Sequence, residues 1–447
     1  MSKIKKHIVV VGGGLSGTAA AHRLNQYGYD VTIIEKMDRL GGRIHSHLVD
    51  GAAVEMGAGF LTKNYSNLMD FLRLVGLDRQ LYRQKSKTGV YVNEKLHMLT
   101  PRSLLANEPL AWDSKLHAVS LLAKTVVNWQ KLDLHEFWRA AKLDEKPVSN
   151  MYRSRSGTDF TEKVLQPILN GYFYWNPEHT SEAMMYMISK TVFSHGTYRL
   201  KGGLQRIPEA AAQKSKVLLG HTVEVITKSS DGSYVVNLKD GATTKSLTAD
   251  GIICATTASA VLRIFPDLTK QQRTFFEAIE YSSAALVART YPKEQAKGDK
   301  SIAFPRKQDI ELSSVTLSSE MGTGEKYYST VKTYASGSIA KDRISLTDQD
   351  LMNRLIDDTQ PVSEHLVVGS PTPVASHIQR WDQALPCFDV GHFKRLAAFH
   401  EGRVEDNDEM ITFAGDYIGG PLMEGAFTSG LRAAQRLHAR LRAVRVA

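Results

Sequence analysis

A glycine-rich turn stands near the start of the chain, between an apolar run and a helix-forming segment. Residues 8–11 are uninterrupted Ile and Val, the pattern G-x-G-x-x-G follows at Gly12, Gly14 and Gly17, and helix formers occupy Ser16 to Tyr27. In this pattern the first glycine permits a tight turn, the second lets the backbone approach a pyrophosphate, and the third lets helix and strand pack closely. Because a helix N-terminus also presents free N–H groups and a positive dipole to an anion, the segment predicts a dinucleotide-binding βαβ unit.

A second apolar run supports the same unit. Residues 31–34 read as a buried strand, and they end at Glu35, 23 residues after Gly12. An acid at this position can accept the hydroxyls of an adenosine ribose, and it repels a 2′-phosphate. We therefore expect Glu35 to hold the ribose of a dinucleotide that lacks a 2′-phosphate.

Composition excludes several other classes of protein. The chain has 447 residues, of which 42% are hydrophobic and 23% charged, and this rules out wholesale disorder and a collagen-like structure. No run of about 18 apolar residues occurs, so a membrane-spanning helix is not expected. The net charge is +9, but the basic residues are scattered and carry no nucleic-acid-binding signature, so no nucleic-acid partner is expected. Cys254 and Cys387 are predicted to be free thiols of a reducing compartment, which favours a cytoplasmic location.

The periodicity changes several times along the chain. Residues 58–200 predict mostly helices, residues 217–255 predict four strands that return to the first sheet, and residues 265–375 mix strands with one helix. Residues 411–414 predict a last buried strand before a terminal helix. The sequence thus predicts an α/β (α+β) fold of two interleaved domains, in which a nucleotide-binding domain comprises residues 1–60, 200–265 and 376–447, and a helix-rich substrate domain with a mixed sheet comprises residues 61–199 and 266–375.

Two further motifs separate FAD from NAD. Residues 39–43 (RLGGR) follow the acidic strand end, and residues 413–417 (FAGDY) with residues 424–430 (EGAFTSG) lie near the C-terminus. Together with the N-terminal glycines, they resemble the FAD-binding motifs of the flavin amine oxidase and protoporphyrinogen oxidase superfamily. The resemblance implies a Rossmann-like FAD domain and an FAD-dependent oxidoreductase.

The resemblance also implies roles for individual residues. Glu35 would bind the adenosine ribose, Arg43 the pyrophosphate, and Asp416 the phosphate or ribityl region. Val223 would contact the adenine end through its main chain, and Trp381 would lie against the isoalloxazine. The complete predicted FAD-binding set is Gly12, Gly14, Leu15, Ser16, Gly17, Glu35, Lys36, Gly42, Arg43, Gly57, Ala58, Gly59, Val223, Trp381, Gly415, Asp416, Glu424, Gly425 and Ala426.

The turn at Gly425 and Ala426 has a physical consequence for a bound flavin. A helix that starts there would aim free N–H groups and its dipole at flavin N1 and the C2 carbonyl, where negative charge accumulates on reduction. We therefore expect this helix to stabilise the reduced anion.

Two segments favour one branch of the superfamily. Residues 380–392 and 202–208 are similar to motifs of the protoporphyrinogen-oxidase-like branch. Amine oxidases often carry a lysine that holds a water near flavin N5, and the matching position falls on Val287, which weakens an amine-oxidase mechanism. No cysteine lies at the usual flavin attachment point, and Cys387 is a few residues early, so FAD is expected to be non-covalent.

The predicted reaction follows from what the chain lacks as well as from its motifs. No second G-x-G-x-x-G follows a strand, so electrons are expected to come from an organic substrate rather than from a nicotinamide. His45 and His47 lack a third ligand, so no metal is expected. The predicted activity is hydride transfer from a C–H of a hydrophobic or aromatic small molecule to flavin N5, forming C=C or C=N, with molecular oxygen as electron acceptor. Oxidative deamination of an amine, a polyene desaturase and a flavin-binding scaffold without turnover remain alternatives, and no catalytic residue is assigned.

Four segments have surface or core interpretations. Ser114 to Leu132 predicts an amphipathic helix of a soluble protein, with peripheral membrane contact as the alternative, because a helical region here touches the bilayer in related membrane-associated oxidases. Residues 172–175 (YFYW) and 184–187 (MMYM) suit either a substrate pocket or a helical core. Arg432, Arg436 and Arg440 predict a solvated face of the last helix. The sequence predicts no oligomeric state.

Overall fold

A computed structural model of the chain describes residues 5–99, 110–192, 196–306, 310–322, 327–405 and 409–443. The strands are, in chain order, β1 (His7–Val11), β2 (Asp30–Ile34), β3 (Ser46–Val49), β4 (Ala52–Glu55), β5 (Leu61–Thr62), β6 (Leu81–Gln84), β7 (Lys87–Val92), β8 (Lys95–Met98), β9 (Thr197–Leu200), β10 (Lys216–Leu218), β11 (His221–Lys228), β12 (Tyr234–Asp240), β13 (Thr243–Ala249), β14 (Gly251–Cys254), β15 (Ala284–Pro292), β16 (Lys300–Ala303), β17 (Ser314–Met321), β18 (Tyr327–Ser336), β19 (Ala375–Trp381) and β20 (Ile411–Phe413).

The helices are, in chain order, α1 (Leu15–Gln26), α2 (Ser66–Leu74), α3 (Trp112–Val127), α4 (Arg155–Phe160), α5 (Gln166–Phe173), α6 (Glu182–Val192), α7 (Arg206–Ala212), α8 (Ala258–Ile264), α9 (Lys270–Glu277), α10 (Gly337–Ile344), α11 (Asp348–Asp357), α12 (His392–His400), α13 (Asp416–Gly419) and α14 (Met423–Ala443). A π-helical turn, Thr161–Leu165, joins α4 to α5.

A five-stranded parallel sheet contains the glycine-rich turn. Its strand order is β10-β2-β1-β14-β20, so three distant parts of the chain form one sheet. Val9, Ile33 and Ile253 in these strands are fully buried. Because a parallel sheet is covered on both faces, its strands read as continuous apolar runs, which is why the sequence indicated them clearly. The predicted α/β fold class is confirmed.

A separate antiparallel sheet follows β10. Its order is β11-β12-β13, whereas the sequence analysis expected the strands of residues 217–255 to join the first sheet. That expectation is correct for β10 and β14 and wrong for β11 and β12. The two turns at Gly232 and Gly241 are tight, and short turns pair neighbouring strands with one another rather than with a distant sheet.

A seven-stranded mixed sheet forms the other large layer, in the order β19-β15-β18-β17-β16-β7-β8. The hairpin β7–β8 lies in the region predicted to be mostly helical, so that prediction is wrong for these residues. The hairpin turns at Asn93 and Glu94, whose φ values of 50° and 60° belong to the left-handed region that two-residue hairpin turns require. The sequence lacks the usual Asn-Gly signal at this turn, which explains why the hairpin was missed.

Helices α3 to α6 surround a second hydrophobic core. Met184, Met185 and Met187 are at most 2% exposed within it, so the core interpretation of these residues is correct. Among the described residues, no helix is long and apolar enough to cross a membrane.

The arginines of α14 are not a solvated face, contrary to the sequence analysis. Arg436 and Arg440 form ion pairs of 2.9 and 2.8 Å with Glu405, whose side chain is 3% exposed. Glu405 also accepts the main-chain N–H of Phe413 at 3.0 Å. A buried carboxylate requires such partners, and they tie the last helix to β20.

Candidate functional site

The glycine-rich turn joins β1 to α1 and leaves room for a ligand beside its second glycine. A Cβ on Gly12 would lie 2.8 Å from the carbonyl oxygen of Ala255, and one on Gly17 would lie 1.9 Å from that of Gly12, whereas a Cβ on Gly14 would meet nothing within 4 Å. The N–H groups of the first turn of α1, which includes Leu15 and Ser16, have no acceptor within the helix. No side chain caps them either. This open cradle fits the pyrophosphate of a dinucleotide.

The second glycine loop packs directly against the first. Gly41 donates its N–H to the carbonyl of Gly13 at 2.9 Å, and a Cβ on Gly42 would lie 3.4 Å from the Cα of Gly14. Arg39 holds this loop by donating to the carbonyls of Leu40, Ile44 and Gly42 at 3.3, 3.1 and 3.0 Å. Arg39 was absent from the predicted set, although it opens the motif that identified the loop.

Glu35 lies at the end of β2 and is 6% exposed. Its two carboxylate oxygens accept the N–H groups of Gly13 at 2.6 Å and Met37 at 2.9 Å. Each oxygen has a further lone pair that can accept a ribose hydroxyl. The neighbouring Lys36 is exposed.

Val223 lies near Glu35, because His221, the first residue of β11, is hydrogen-bonded to Glu35. The N–H of His221 donates to the carbonyl oxygen of Glu35 at 3.0 Å. β11 is an edge strand, and its pairing with β12 shifts between Val223 and Val225. An edge strand has unpaired main-chain groups, so this geometry supports a main-chain contact of Val223 to a ligand beside Glu35.

Arg43 and Asp416 are paired with each other, which the sequence analysis did not anticipate. Two guanidinium nitrogens donate to the two carboxylate oxygens at 2.7 and 2.8 Å, and Arg43 also donates to the carbonyl of Ala384 at 3.0 Å. Burial lowers the pKa of Arg43, but the Asp416 carboxylate outweighs it and the net shift is upward. The pair joins the N-terminal and C-terminal motifs in one bidentate contact.

A short extended strip, Gly57 to Gly59, passes under Trp381. A Cβ on Gly57 would lie 1.9 Å from the carbonyl oxygen of Arg43 and 3.5 Å from the Trp381 ring, so only glycine fits. The Trp381 indole N–H donates to the carbonyl of Met56 at 2.8 Å, and Ala58 donates to the carbonyl of Arg43 at 3.1 Å. The strip and the tryptophan therefore lie together next to the Arg43 pair.

The C-terminal turn approaches the site through Gly415 and the first turn of α14. Gly415 donates to the hydroxyl of Ser429 at 3.0 Å. The helix begins at Met423, two residues before the predicted start. A Cβ on Gly425 would lie 2.4 Å from the carbonyl oxygen of Gly420, and the N–H of Ala426 is bonded to the Leu422 carbonyl at 3.0 Å. The free N–H groups of this helix end are therefore those before Ala426.

The side chain of Glu424 points to the start of α2 and to His135. It is fully buried, accepts the N–H groups of Asn67 and Leu68 at 2.9 and 3.1 Å at the start of α2, and meets His135 Nε2 at 2.7 Å. Hydrogen bonds with Asp133 and with Glu424 raise the pKa of His135 to about 9. Only the main chain of Glu424 is available to a cofactor, and because the partners are over 280 positions away, no local pattern could have shown this.

One face of the seven-stranded sheet lies beside the strip and Trp381. β15 pairs with β19 and β18 so that Ala284 lies opposite Trp381, and Ala288 lies opposite Lys332. Val287 points to the other face, into the apolar core with Leu317. The position that the resemblance compared with a lysine therefore faces away from the site, while a lysine of the neighbouring strand faces it.

Lys332 is a site residue that sequence reasoning missed. It is 2% exposed, and in the described part of the chain its Nζ has one hydrogen bond, of 3.2 Å to the carbonyl oxygen of Glu55. Glu55 ends the strand that leads into the strip of Gly57 to Gly59. Lys332 thus holds two further N–H donors beside the strip.

The carboxylate of Glu55 is also buried, at 2% exposure. It accepts the hydroxyl of Ser46 at 2.6 Å and the N–H of Leu204 at 2.9 Å. Burial raises the pKa of Glu55 to about 7, against the lowering effect of these hydrogen bonds. A nearby ion pair of Arg199 and Glu320 is equally buried.

Aromatic rings complete this face. Tyr174 adopts a left-handed conformation (φ 61°) at the end of α5, and its ring lies 6.3 Å from that of Tyr334. Both tyrosines pack in one cluster with Met56 and Trp381. Three aromatic side chains and the buried Lys332 therefore lie on this face of the sheet.

Neither cysteine nor histidine offers a second chemistry at this site. Cys254 and Cys387 are free, as predicted, and burial raises the pKa of Cys387 to about 12, so it is a protonated thiol. The rings of His45 and His47 lie 4.4 Å apart, and His377 stacks on His47 at 4.3 Å. In the described ranges, no three His, Cys, Asp or Glu side chains are arranged to hold a metal ion.

Comparisons with known proteins agree with these observations. The family model of flavin containing amine oxidoreductases matches residues 15–438. Coproporphyrinogen III oxidase of Bacillus subtilis is 22% identical over 470 residues and covers 95% of both chains. Protoporphyrinogen oxidase 2 of Arabidopsis thaliana is 22% identical over 490 residues, 96% of this chain and 93% of its own. The crystal structure of cyclohexylamine oxidase from Brevibacterium oxydans IH-35A matches with a TM-score of 0.75 at 19% identity, over 98% of this chain and 100% of the other, and shows the same fold.

Proposed function

The chain belongs to the flavin-containing amine oxidoreductase family, and on this premise we propose that it oxidises a hydrophobic or aromatic small molecule with non-covalently bound FAD. It is a flavin-dependent oxidoreductase, and the predicted superfamily is confirmed. The observation that carries the proposal is the direct contact of the glycine turn with the second glycine loop, of that loop's Arg43 with Asp416, and of Arg43 with the Gly57–Gly59 strip. A bound flavin supplies the redox chemistry there by accepting a hydride.

We assign a different part of FAD to each of these elements. The first turn of α1 holds the pyrophosphate, Glu35 accepts the ribose hydroxyls, and the edge of β11 at Val223 receives the adenine. Arg43 and Asp416 bind the phosphate and ribityl region as a fixed pair. The Gly57–Gly59 strip and Trp381 would border the isoalloxazine, and the first turn of α14 would direct its dipole toward the end of the flavin where negative charge accumulates on reduction.

A non-covalent FAD is supported by the state of Cys387, whose thiol is protonated and packs against an apolar core. Acid precipitation of the purified holoenzyme should therefore release all of the flavin, as FAD, into the supernatant. Flavin that stays with the pellet would contradict non-covalent binding. FMN in the supernatant would contradict the assignment of the glycine turn to a dinucleotide.

A porphyrinogen is the first candidate substrate. Relatives named as coproporphyrinogen and protoporphyrinogen oxidases align over more than nine-tenths of both chains. Trp381, Tyr174 and Tyr334 place aromatic surface beside the strip, and aromatic surface suits the pyrrole rings of such a substrate. Incubation of the aerobic holoenzyme with coproporphyrinogen III and with protoporphyrinogen IX should yield the fluorescent porphyrin with consumption of oxygen. Turnover of neither compound would exclude this substrate class.

An amine is the second candidate, and Lys332 is the observation that favours it. Its buried ammonium can hold a water or a substrate acceptor at the sheet face beside the strip. Release of ammonia or aldehyde from an amine would separate oxidative deamination from dehydrogenation.

The role of Lys332 is testable with either substrate. Lys332→Met should slow anaerobic reduction of the flavin by substrate about tenfold or more, because a positioned donor is lost. Lys300→Met is the matched control, since Lys300 lies in the same sheet and donates to the carbonyl of His365. Equal reduction rates in both variants would show that Lys332 only fills space.

A further inference from the structure

Helix α3 carries its apolar residues on the outside. Leu116, Val119 and Val126 are 68%, 62% and 59% exposed, whereas Ser114 and Thr125 are buried at 1% and 0%. A surface helix normally buries its apolar stripe and exposes its polar residues. The arrangement is reversed here, and exposed large apolar patches mark interaction sites.

The spacing of these residues is that of paired helices. We define the α3 face as the exposed residues Trp112, Leu116, Val119, Ala123 and Val126. They follow one another at intervals of four, three, four and three, which is the a/d spacing of a helix–helix seam. Leu122 and Val127, 39% and 82% exposed, lie on either side of this row. The helix has 16 residues and is about 24 Å long. Val119 lies at the centre of the face.

Two charged residues lie along one edge of the face, at nearly equal distances from its centre. Asp113 and Lys124 are exposed and eleven positions apart, close to three full turns, so they lie on the same edge of α3. Among the described residues neither forms an ion pair: Asp113 accepts the N–H of Ser114 at 2.9 Å, and the Lys124 ammonium lies 5.7 Å from the Tyr152 ring. Their midpoint coincides with the centre of the apolar face.

We propose that the α3 face is the seam of a homodimer, in which α3 of two copies packs antiparallel across a two-fold axis at Val119. Antiparallel packing brings the same edge of both helices together, so Asp113 of each copy meets Lys124 of the other. A two-fold interface requires such self-complementarity.

The oligomeric state of the FAD-loaded full chain tests the proposal. Sedimentation equilibrium should show a monomer–dimer equilibrium in the micromolar range, since the face is a single helix. Val119→Lys should raise the dissociation constant about tenfold or more, because it places two ammonium groups at the axis. Leu74→Lys is the control, since Leu74 is an equally exposed apolar helix residue at 64% and lies outside the face. Flavin absorbance and Tm of each variant verify that it is folded.

Charge reversal tests the orientation of the two helices. Asp113→Lys and Lys124→Asp should each weaken the dimer, and the double variant should restore it. A monomer at all concentrations, a dimer indifferent to Val119→Lys, or a double variant that restores nothing would each overturn the proposal. A monomer that binds phosphatidylcholine–phosphatidylglycerol vesicles, and loses that binding with Val119→Lys, would overturn it in favour of a lipid surface.

Discussion

Glu35 has two tasks at the level of a single residue. Its carboxylate fixes the glycine turn through the N–H of Gly13 and fixes the following turn through Met37. Its remaining lone pairs can accept further hydrogen bonds, and we propose that ribose hydroxyls donate them. The sequence predicted the second task from spacing alone. The first depends on a contact across the βαβ unit and is visible only in the structure.

Replacing Glu35 by Ala should weaken FAD binding by on the order of 1.5 to 3 kcal/mol, about ten- to a hundredfold, since charge-assisted hydrogen bonds are lost. Titration of the apoprotein with FAD, followed by flavin fluorescence, measures the dissociation constant. Lys36→Ala is the matched control, because Lys36 is adjacent and exposed, and it should change the constant less than twofold. An unchanged constant for Glu35→Ala would place the ribose elsewhere.

Glu55 gives the folded protein a pH dependence of known sign. Because burial raises its pKa to about 7 from 4.5, its stabilising contribution is complete below pH 4.5 and is lost as the pH rises through 7. The free energy of unfolding of the wild type should therefore fall relative to that of Glu55→Gln by roughly 3 kcal/mol between these limits. Urea unfolding at pH 5 and pH 8 measures the difference. A constant difference between the two proteins would show that Glu55 is ionised throughout.

At the level of elements, Glu424 links three parts of the chain. It lies in the first turn of α14, caps the start of α2 and meets His135, which precedes a short helical turn. The family resemblance assigned this residue to the cofactor, yet its carboxylate stabilises helix packing. A capping carboxylate at a helix N-terminus is favourable in itself, and the charged histidine offsets its burial.

The His135 contact should be lost at high pH. Its pKa is raised to about 9, so its contribution to stability is complete below pH 6.5 and disappears as the pH rises through 9. The stability advantage of the wild type over His135→Gln should therefore shrink from pH 6 to pH 10. Thermal unfolding of both proteins over this range gives the comparison. An advantage independent of pH would mean that His135 acts only as a neutral donor.

The elements that were predictable are those with a strong local signal. β1, α1 and β2 follow from one apolar run, one glycine pattern and one acidic strand end, and α11 follows from helical periodicity. The orientation of Val287 was not predictable, because strand residues alternate between faces and a shift of one position reverses the assignment. Lys332 was missed for the same reason, since only strand pairing places it opposite Ala288.

At the level of the whole molecule, the chain returns to one parallel sheet from three distant segments, as the order of the motifs predicted. We propose the same two interleaved domains, with one boundary moved: β19 pairs with β15 in the seven-stranded sheet, so the last segment of the FAD domain begins after Trp381 rather than at residue 376. The reversed polarity of α3 could not be predicted, because an amphipathic pattern does not state which side faces the core.

The source of the electrons is tested most directly by reducing the bound flavin under anaerobic conditions. NADH and NADPH should leave the absorbance of the flavin band at about 450 nm almost unchanged, whereas the true substrate should bleach this band within roughly milliseconds to seconds. A stopped-flow comparison of both nicotinamides with a porphyrinogen and a panel of amines makes this measurement in one series. Rapid bleaching by NADPH alone would contradict the oxidase assignment and indicate a monooxygenase or a reductase.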